Sequence, residues 1–142
     1  MRFIQKDISL RPKQRGFHLV TSEILQQLSE IKSFQAGLLF LFLQHTSASL
    51  STNENADATV RTDFESFFSE LVTNKSYFLH TYEGEDDMPG HIKSSLLGVS
   101  QTFPIRNGKL HLGTWQGIYF CEHRDHAGSR KLFATILGEE VS

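Results

Sequence analysis

The stretch TFPIRNGKLHLGTWQGIYFCEHRDHAGSRKLFATIL, residues 102–137, decides the fold class. Asn107-Gly108 separates two runs of strand-forming residues, 102–106 and 109–114. A type I′ turn requires positive φ at both central residues, so Asn-Gly in this setting is the strongest short-range hairpin signal. Residues 115–122 and 130–137 read as two further strands, joined by a turn over 123–129. As antiparallel neighbours they would place Arg130 beside Glu122. This third of the chain predicts an antiparallel-rich sheet.

Working outward, the rest of the chain supplies helices to cover that sheet. Residues 3–10 favour a strand, and Arg11-Pro12 closes it because proline has no ladder donor. Residues 22–31 place Ile24, Leu25, Leu28 and Ile31 on one helical face, with Thr21 or Ser22 as N-cap and Glu23 in the first turn. The run GLLFLFL, residues 37–43, is too short for most helices and fits a strand buried on both faces. From Ala58, the residues Val60, Phe64, Phe67, Phe68 and Leu71 form a helical stripe with Asp57 as cap. Residues 73–90 form an acidic loop, and Pro89 and Gly98 bracket a short helix over 91–97. The expected fold is α+β, a β-sandwich-like, antiparallel-rich sheet with three helices packed on it, as one domain over 1–142.

Composition narrows the function classes. The 142 residues are 39% apolar and 21% charged, which suits a globular core rather than disorder. Fourteen Lys and Arg against sixteen Asp and Glu, with the basic residues scattered singly, offer no stripe for a phosphate backbone, so no nucleic-acid partner is expected. No apolar run reaches the roughly 18 residues of a membrane span, and the N-terminus lacks a signal-peptide profile, so a cytoplasmic chain with no membrane partner is expected. The lone Cys121 reads as a packed strand residue.

Three polar clusters interrupt the apolar elements. His45, Thr46 and Ser47 leave the apolar run directly, followed by Asn53 and Glu54, and such hydroxyl-rich segments either form turns or face a ligand. His80, Glu83, Glu85, Asp86, Asp87 and His91 combine imidazole and carboxylate, a set that suits zinc, or magnesium if the carboxylates act alone. Their spacing matches no tight metal motif, and a solvated acidic face is the alternative. The third cluster joins Gly113-Thr114-Trp115-Gln116-Gly117 to Glu122 and to Ser129-Arg130. Flanking glycines allow close approach of a ligand, and an arginine behind a Gly-Ser turn can offer its fork to phosphate. A bulge and a surface turn explain the same residues.

The strings LQHTSASLSTNENADATVRTDFESFF, YEGEDDMPGHIKSSLLG and GKLHLGTWQGIYFCEHRDHAGSR resemble, in order, the characteristic segments of the YjbQ family of secondary thiamine-phosphate synthase-like proteins. The likeness runs from about Arg15 to Gly138. One departure is the turn His-Ala-Gly-Ser-Arg, where many members have a shorter Asp-Gly-Pro-Arg. The resemblance implies a transferase that joins hydroxymethylpyrimidine diphosphate to thiazole phosphate, with a small phosphorylated metabolite as partner. On that reading His45, Glu122 and Arg130 are catalytic, with Arg130 clamping phosphate. Thr46, Ser47, Asn53, Glu54, Trp115, Gln116 and Ser129 bind substrate, and His45, His80 and His91 hold a divalent metal. The alternative is a metal- or phosphometabolite-binding protein without turnover. The resemblance also implies a homotrimer, and twelve Phe in a chain this size agree with apolar surface left for an interface.

Overall fold

A computed structural model describes residues 1–141, which form two antiparallel sheets facing one another. The strands, in chain order, are β1 (Arg2–Leu10), β2 (Gly16–Leu19), β3 (Phe34–Leu43), β4 (Ala48–Glu54), β5 (Ser100–Arg106), β6 (Lys109–Leu110), β7 (Gln116–Glu122) and β8 (Arg130–Glu140). The larger sheet has the order β1-β8-β3-β5-β6 and the smaller β2-β7-β4. Three helices, α1 (Thr21–Leu25), α2 (Ala58–Leu71) and α3 (Asp87–Leu97), complete the α+β architecture read from the sequence. Among the described residues no helix is long and apolar enough to cross a membrane.

Strand periodicity builds the core. Ile8, Leu10, Leu39, Leu41, Leu43, Leu132, Ala134 and Ile136 alternate along the large sheet and point inward, where they meet Ala48, Leu50, Ile118 and Phe120 of the small one. The small sheet is covered on its other face as well. There Phe17, Tyr119 and Cys121 pack against Phe64 and Phe68 of α2. The Phe17 and Phe64 rings stack with centroids 5.2 Å apart.

The turn at Asn107-Gly108 forms as expected, with φ of 51° and 75° at its two central residues, but the second strand of the hairpin stops at Leu110 instead of running to residue 114. Asp57 caps α2, its carboxylate accepting the Thr59 N–H at 2.9 Å. Other expectations need correction. β7 and β8 do not pair: β2 and β4 occupy both edges of β7, while β8 lies between β1 and β3 in the other sheet. The apolar run in β3 is buried on one face only, leaving Leu38, Phe40 and Phe42 exposed on the outside of the large sheet. The strand buried on both faces is β7, over residues 117–122, because its sheet alone is sandwiched between a core and helices.

The helix expected over 22–31 is interrupted. It ends at Leu25 and resumes as a 3-10 turn, Ser29–Ser33, although Ile24, Leu28 and Ile31 stay buried. Its polar side chains are committed elsewhere. Thr21 Oγ1 accepts the Ile118 N–H, the Glu23 carboxylate accepts the Arg11 N–H, and Gln27 bonds both backbone groups of Ser9, covering part of the free edge of β1.

Candidate metal centre

α3 begins one turn earlier than the sequence reading placed it, at Asp87 rather than His91. Pro89 sits inside the first turn, where its missing N–H costs nothing because that donor has no intrahelical partner. Asp87 and His91 therefore stand at i and i+4 on one helical face. His80 reaches the same point from the preceding loop. Its Nε2 lies 2.8 Å from Asp87 Oδ2, and His91 Nε2 lies 3.1 Å from the same oxygen. One donor atom from each of His80, Asp87 and His91 lies within 4.8 Å of the other two.

Surrounding groups hold this trio in place. Arg124 Nη1 donates to Asp87 Oδ1 at 2.7 Å and Nη2 donates to the Glu83 carbonyl at 2.7 Å, tying the acidic loop to the helix. Asp87 is buried, so its second oxygen is aimed rather than free to wander. The ring of His91 is set by Thr46, whose carbonyl lies 2.8 Å from Nδ1. A carbonyl only accepts, so Nδ1 carries the proton and a neutral His91 presents a lone pair on Nε2 to a carboxylate oxygen. Two acceptors at hydrogen-bond distance need a proton or a cation between them.

A second polar group is buried nearby at the start of β8. Glu122 is fully buried and takes a two-pronged ion pair from Arg130, Nε to Oε1 at 2.8 Å and Nη2 to Oε2 at 2.6 Å. Arg130 Nη2 also donates to Ser47 Oγ at 3.1 Å. His45 Nε2 accepts the Lys131 N–H at 2.8 Å. Behind them Ser49 Oγ and His123 Nε2 lie 2.8 Å apart, both buried. Burial, followed by the nearby Lys93 and Arg130 charges, pushes His123 down to about 3 and keeps the ring neutral. Burial likewise pushes the Cys121 thiol up to about 12, so it is an unreactive core group.

The structure divides the residues expected to form one site. His45, Ser47, Glu122 and Arg130 converge, and the Thr46 carbonyl joins them to His91. His45 stands outside the His80–Asp87–His91 group, with both ring nitrogens facing Arg130 and Lys131 instead. Asn53, Glu54, Trp115 and Gln116 lie at the opposite end of the small sheet. β4 and β7 pair from Ala48↔Glu122 to Glu54↔Gln116, seven residues whose ends lie about 20 Å apart. There Asn55 Nδ2 donates to the carbonyls of Thr114 and Gln116, and Gln116 Oε1 accepts the Gly113 N–H. Arg130 therefore does not sit beside Gly113-Thr114-Trp115-Gln116. Ser129 is exposed in the turn before β8. The sequence reading included Asp87 in the acidic cluster but grouped His45 rather than Asp87 with His80 and His91, and it gave Arg124 no role. The spacing of Asp87 and His91 was visible once Pro89 is allowed within the helix.

A cavity of about 620 Å³ opens beside these groups, with His45, Thr46, His91, Ser94 and Ser95 in its wall. Its residues come from β3, the segment after it and α3. A hollow of this size accepts a small molecule.

Comparison with known proteins places the chain. A family model described as UPF0047 protein YjbQ-like matches residues 6–139. The chain is 56% identical to UPF0047 protein YjbQ of Escherichia coli over 95% of its own length and 98% of that protein. It is 40% identical to a UPF0047 protein of Synechocystis, over 95% and 92% of the two chains. A solved structure of an uncharacterized conserved YjbQ/UPF0047 family protein from Clostridium acetobutylicum superposes with a TM-score of 0.80 at 35% identity, covering 93% and 99% of the two chains. These findings correct the expected activity. The relatives are named only as UPF0047 or uncharacterized proteins, with no thiamine-phosphate synthase among them, so the transferase reading does not stand. Its structural basis is also weakened, because the fork of Arg130 meant for a diphosphate is spent on Glu122. With fold, length and ordered motifs all in agreement, the chain belongs to the YjbQ (UPF0047) family.

Proposed function

We propose that this protein binds a divalent transition metal through His80 Nε2, Asp87 Oδ2 and His91 Nε2, with one coordination position open to a small polar molecule. The observation that carries the reading is the facing of lone pairs. With His91 Nδ1 donating to the Thr46 carbonyl, the Nε2 lone pair of a neutral ring and the Asp87 carboxylate point at the same place. Two imidazoles and one carboxylate suit zinc and its first-row neighbours better than magnesium, which prefers oxygen ligands. Three protein ligands are the number found where a metal keeps a position for water or substrate, and a bound metal supplies Lewis acidity and a more acidic water there. Arg124 orients Asp87 and Thr46 orients His91, the supporting contacts that such ligands need.

Metal analysis of purified protein, followed by reloading after chelation, tests the reading. About one zinc, manganese, cobalt or iron per chain is expected, lost in Asp87→Ala and His91→Ala. A wild-type chain that takes up none of these metals at stoichiometry would sink it.

A separate observation favours self-association. Phe3, Leu38, Phe40 and Phe42 lie exposed on the outer face of the large sheet, and the register sets Phe3, Leu137, Leu38 and Pro104 in one row across four strands. An apolar sheet face of this kind supports burial against further copies of the chain in a closed ring, and the trimer is the state proposed. Sedimentation equilibrium should give three chains per particle, dissociated by Phe40→Asp. A monomeric wild type at micromolar concentration would refute it.

A further inference from the structure

A second conflict of hydrogen-bond roles lies at the start of β8, independent of the metal ligands. The Lys131 peptide N–H can only donate, so His45 Nε2, 2.8 Å away, holds a lone pair. In the neutral ring the proton then sits on Nδ1. Burial, with the Arg130 charge adding to it, pushes His45 below the usual imidazole range and so favours that neutral form. Yet Nδ1 lies 3.3 Å from Arg130 Nη1. Both nitrogens are donors, and neither can satisfy the other.

The remaining donors of Arg130 are committed, Nε and Nη2 to Glu122 and Nη2 also to Ser47. Among the described residues Nη1 has no acceptor. Arg130 is only 6% exposed, so bulk water is not a ready substitute.

We propose that His45 Nδ1–H and Arg130 Nη1–H together bind one oxygen of an oxyanion, the phosphate or carboxylate group of a small molecule. An oxygen about 2.8 Å from each nitrogen closes a triangle with the observed separation of the pair. Glu122 neutralises the other edge of the guanidinium, so recognition comes from two aimed N–H groups more than from free charge. His45 borders the cavity that His91 also lines, while Asp7 lines a hollow of about 490 Å³ that His45 borders as well. The hollow with Asp7 also carries Lys131, whereas the cavity shared with His91 has no carboxylate in its lining and is the side assigned to the anion. A molecule held there extends towards the metal position. That joint use rests on the metal reading, whereas the oxyanion subsite does not.

The test is nitrogen NMR of histidine- and arginine-labelled protein, as purified and after chelation, titrated separately with inorganic phosphate and with acetate. The free protein should show His45 protonated on Nδ1 and bare on Nε2. One or both anions should then shift His45 Nδ1 and Arg130 Nη1 saturably, with or without metal, and the responding anion assigns the ligand class. His45→Phe should weaken that binding about tenfold or more, the scale of one hydrogen bond to a charged group. A ring protonated on Nε2 instead, or no saturable shift with either anion, overturns the subsite. These two readouts use the wild-type protein, so they decide the matter even if His45→Phe fails to fold. Anion binding that survives in a protein taking up no metal would leave this inference standing and remove the metal reading alone.

Discussion

The two ends of the β4–β7 ladder are equally polar in sequence and opposite in how their polar groups are satisfied. At the Glu54–Gln116 end, Asn55 donates to two carbonyls, Tyr119 Oη donates to the Glu54 carbonyl at 2.6 Å, and Glu54 Oε2 accepts the N–H groups of Ala56 and Asp57. Each of these donors meets an acceptor. At the Ala48–Glu122 end, a neutral His91 sets its acceptor against that of Asp87, while His45 and Arg130 set donor against donor. Closed networks rigidify a fold, and buried groups left in conflict call for a ligand. The comparison separates a structural motif from a candidate site where residue type alone does not.

The sharpest way to break it is to unpair the buried ions. Arg130→Met leaves Glu122 buried without a counter-ion, with only the Arg124 N–H at 3.2 Å still donating to it, which should cost about 3–5 kcal/mol in urea unfolding. A loss below about 1 kcal/mol would mean that water reaches Glu122 and that this end is not dry.

A pH series probes the same end with a smaller effect per step. The folded His123 titrates at about 3, while an imidazole released by unfolding returns to about 6.5. Below about 6.5 the unfolded chain takes up a proton that the native ring refuses. Stability therefore falls as pH drops from about 6.5 towards about 3, with a limiting slope of about 1.4 kcal/mol per pH unit. His123→Gln should remove that contribution, and an unchanged slope in the variant would assign the acid sensitivity to other groups.

The far end should respond more weakly and without touching the metal. Asn55→Ala loses two hydrogen bonds to carbonyls and should cost about 1–2 kcal/mol, with metal content unaltered. Loss of metal in this variant would show that the two ends act as one site. Smallest of all, Trp115→Ala should change stability by less than about 0.5 kcal/mol, because the side chain is 65% exposed. A destabilisation of several times that amount would place Trp115 against something outside this chain, such as a neighbouring copy.

Local chemistry was legible wherever a few adjacent residues settle the matter. Asn107-Gly108 forms its turn because two positive φ values are needed at once, and Asp57 caps α2 because its carboxylate reaches a backbone N–H two residues on. The apolar run of β3 was misread for a physical reason. Leu38, Phe40 and Phe42 are as apolar as the buried Leu39, Leu41 and Leu43, so sequence alone could not say that one face of that strand lies outside the core. Pro89 misled in the other direction. It marks a helix start in general, but a proline is tolerated anywhere in the first turn, and the shift of four residues hid the pairing of Asp87 with His91.

The sequence by itself determined strands β1, β3, β5, β7 and β8, the turn at Asn107-Gly108, the cap of α2 and the family, since each depends on neighbouring residues or on ordered motifs, whereas β2 and β4 had no strand reading. Only the tertiary structure decided which sheet each C-terminal strand joins, and thereby which polar groups meet. β7 and β8 are separated by a short turn yet lie in different sheets, and still Glu122 and Arg130 come together because the turn brings the end of one strand against the start of the other. His80 and Asp87 converge with His91 through a loop held by Arg124, a residue 37 positions beyond Asp87. Contacts at such separations depend on how whole sheets pack, and no local pattern of residues encodes that.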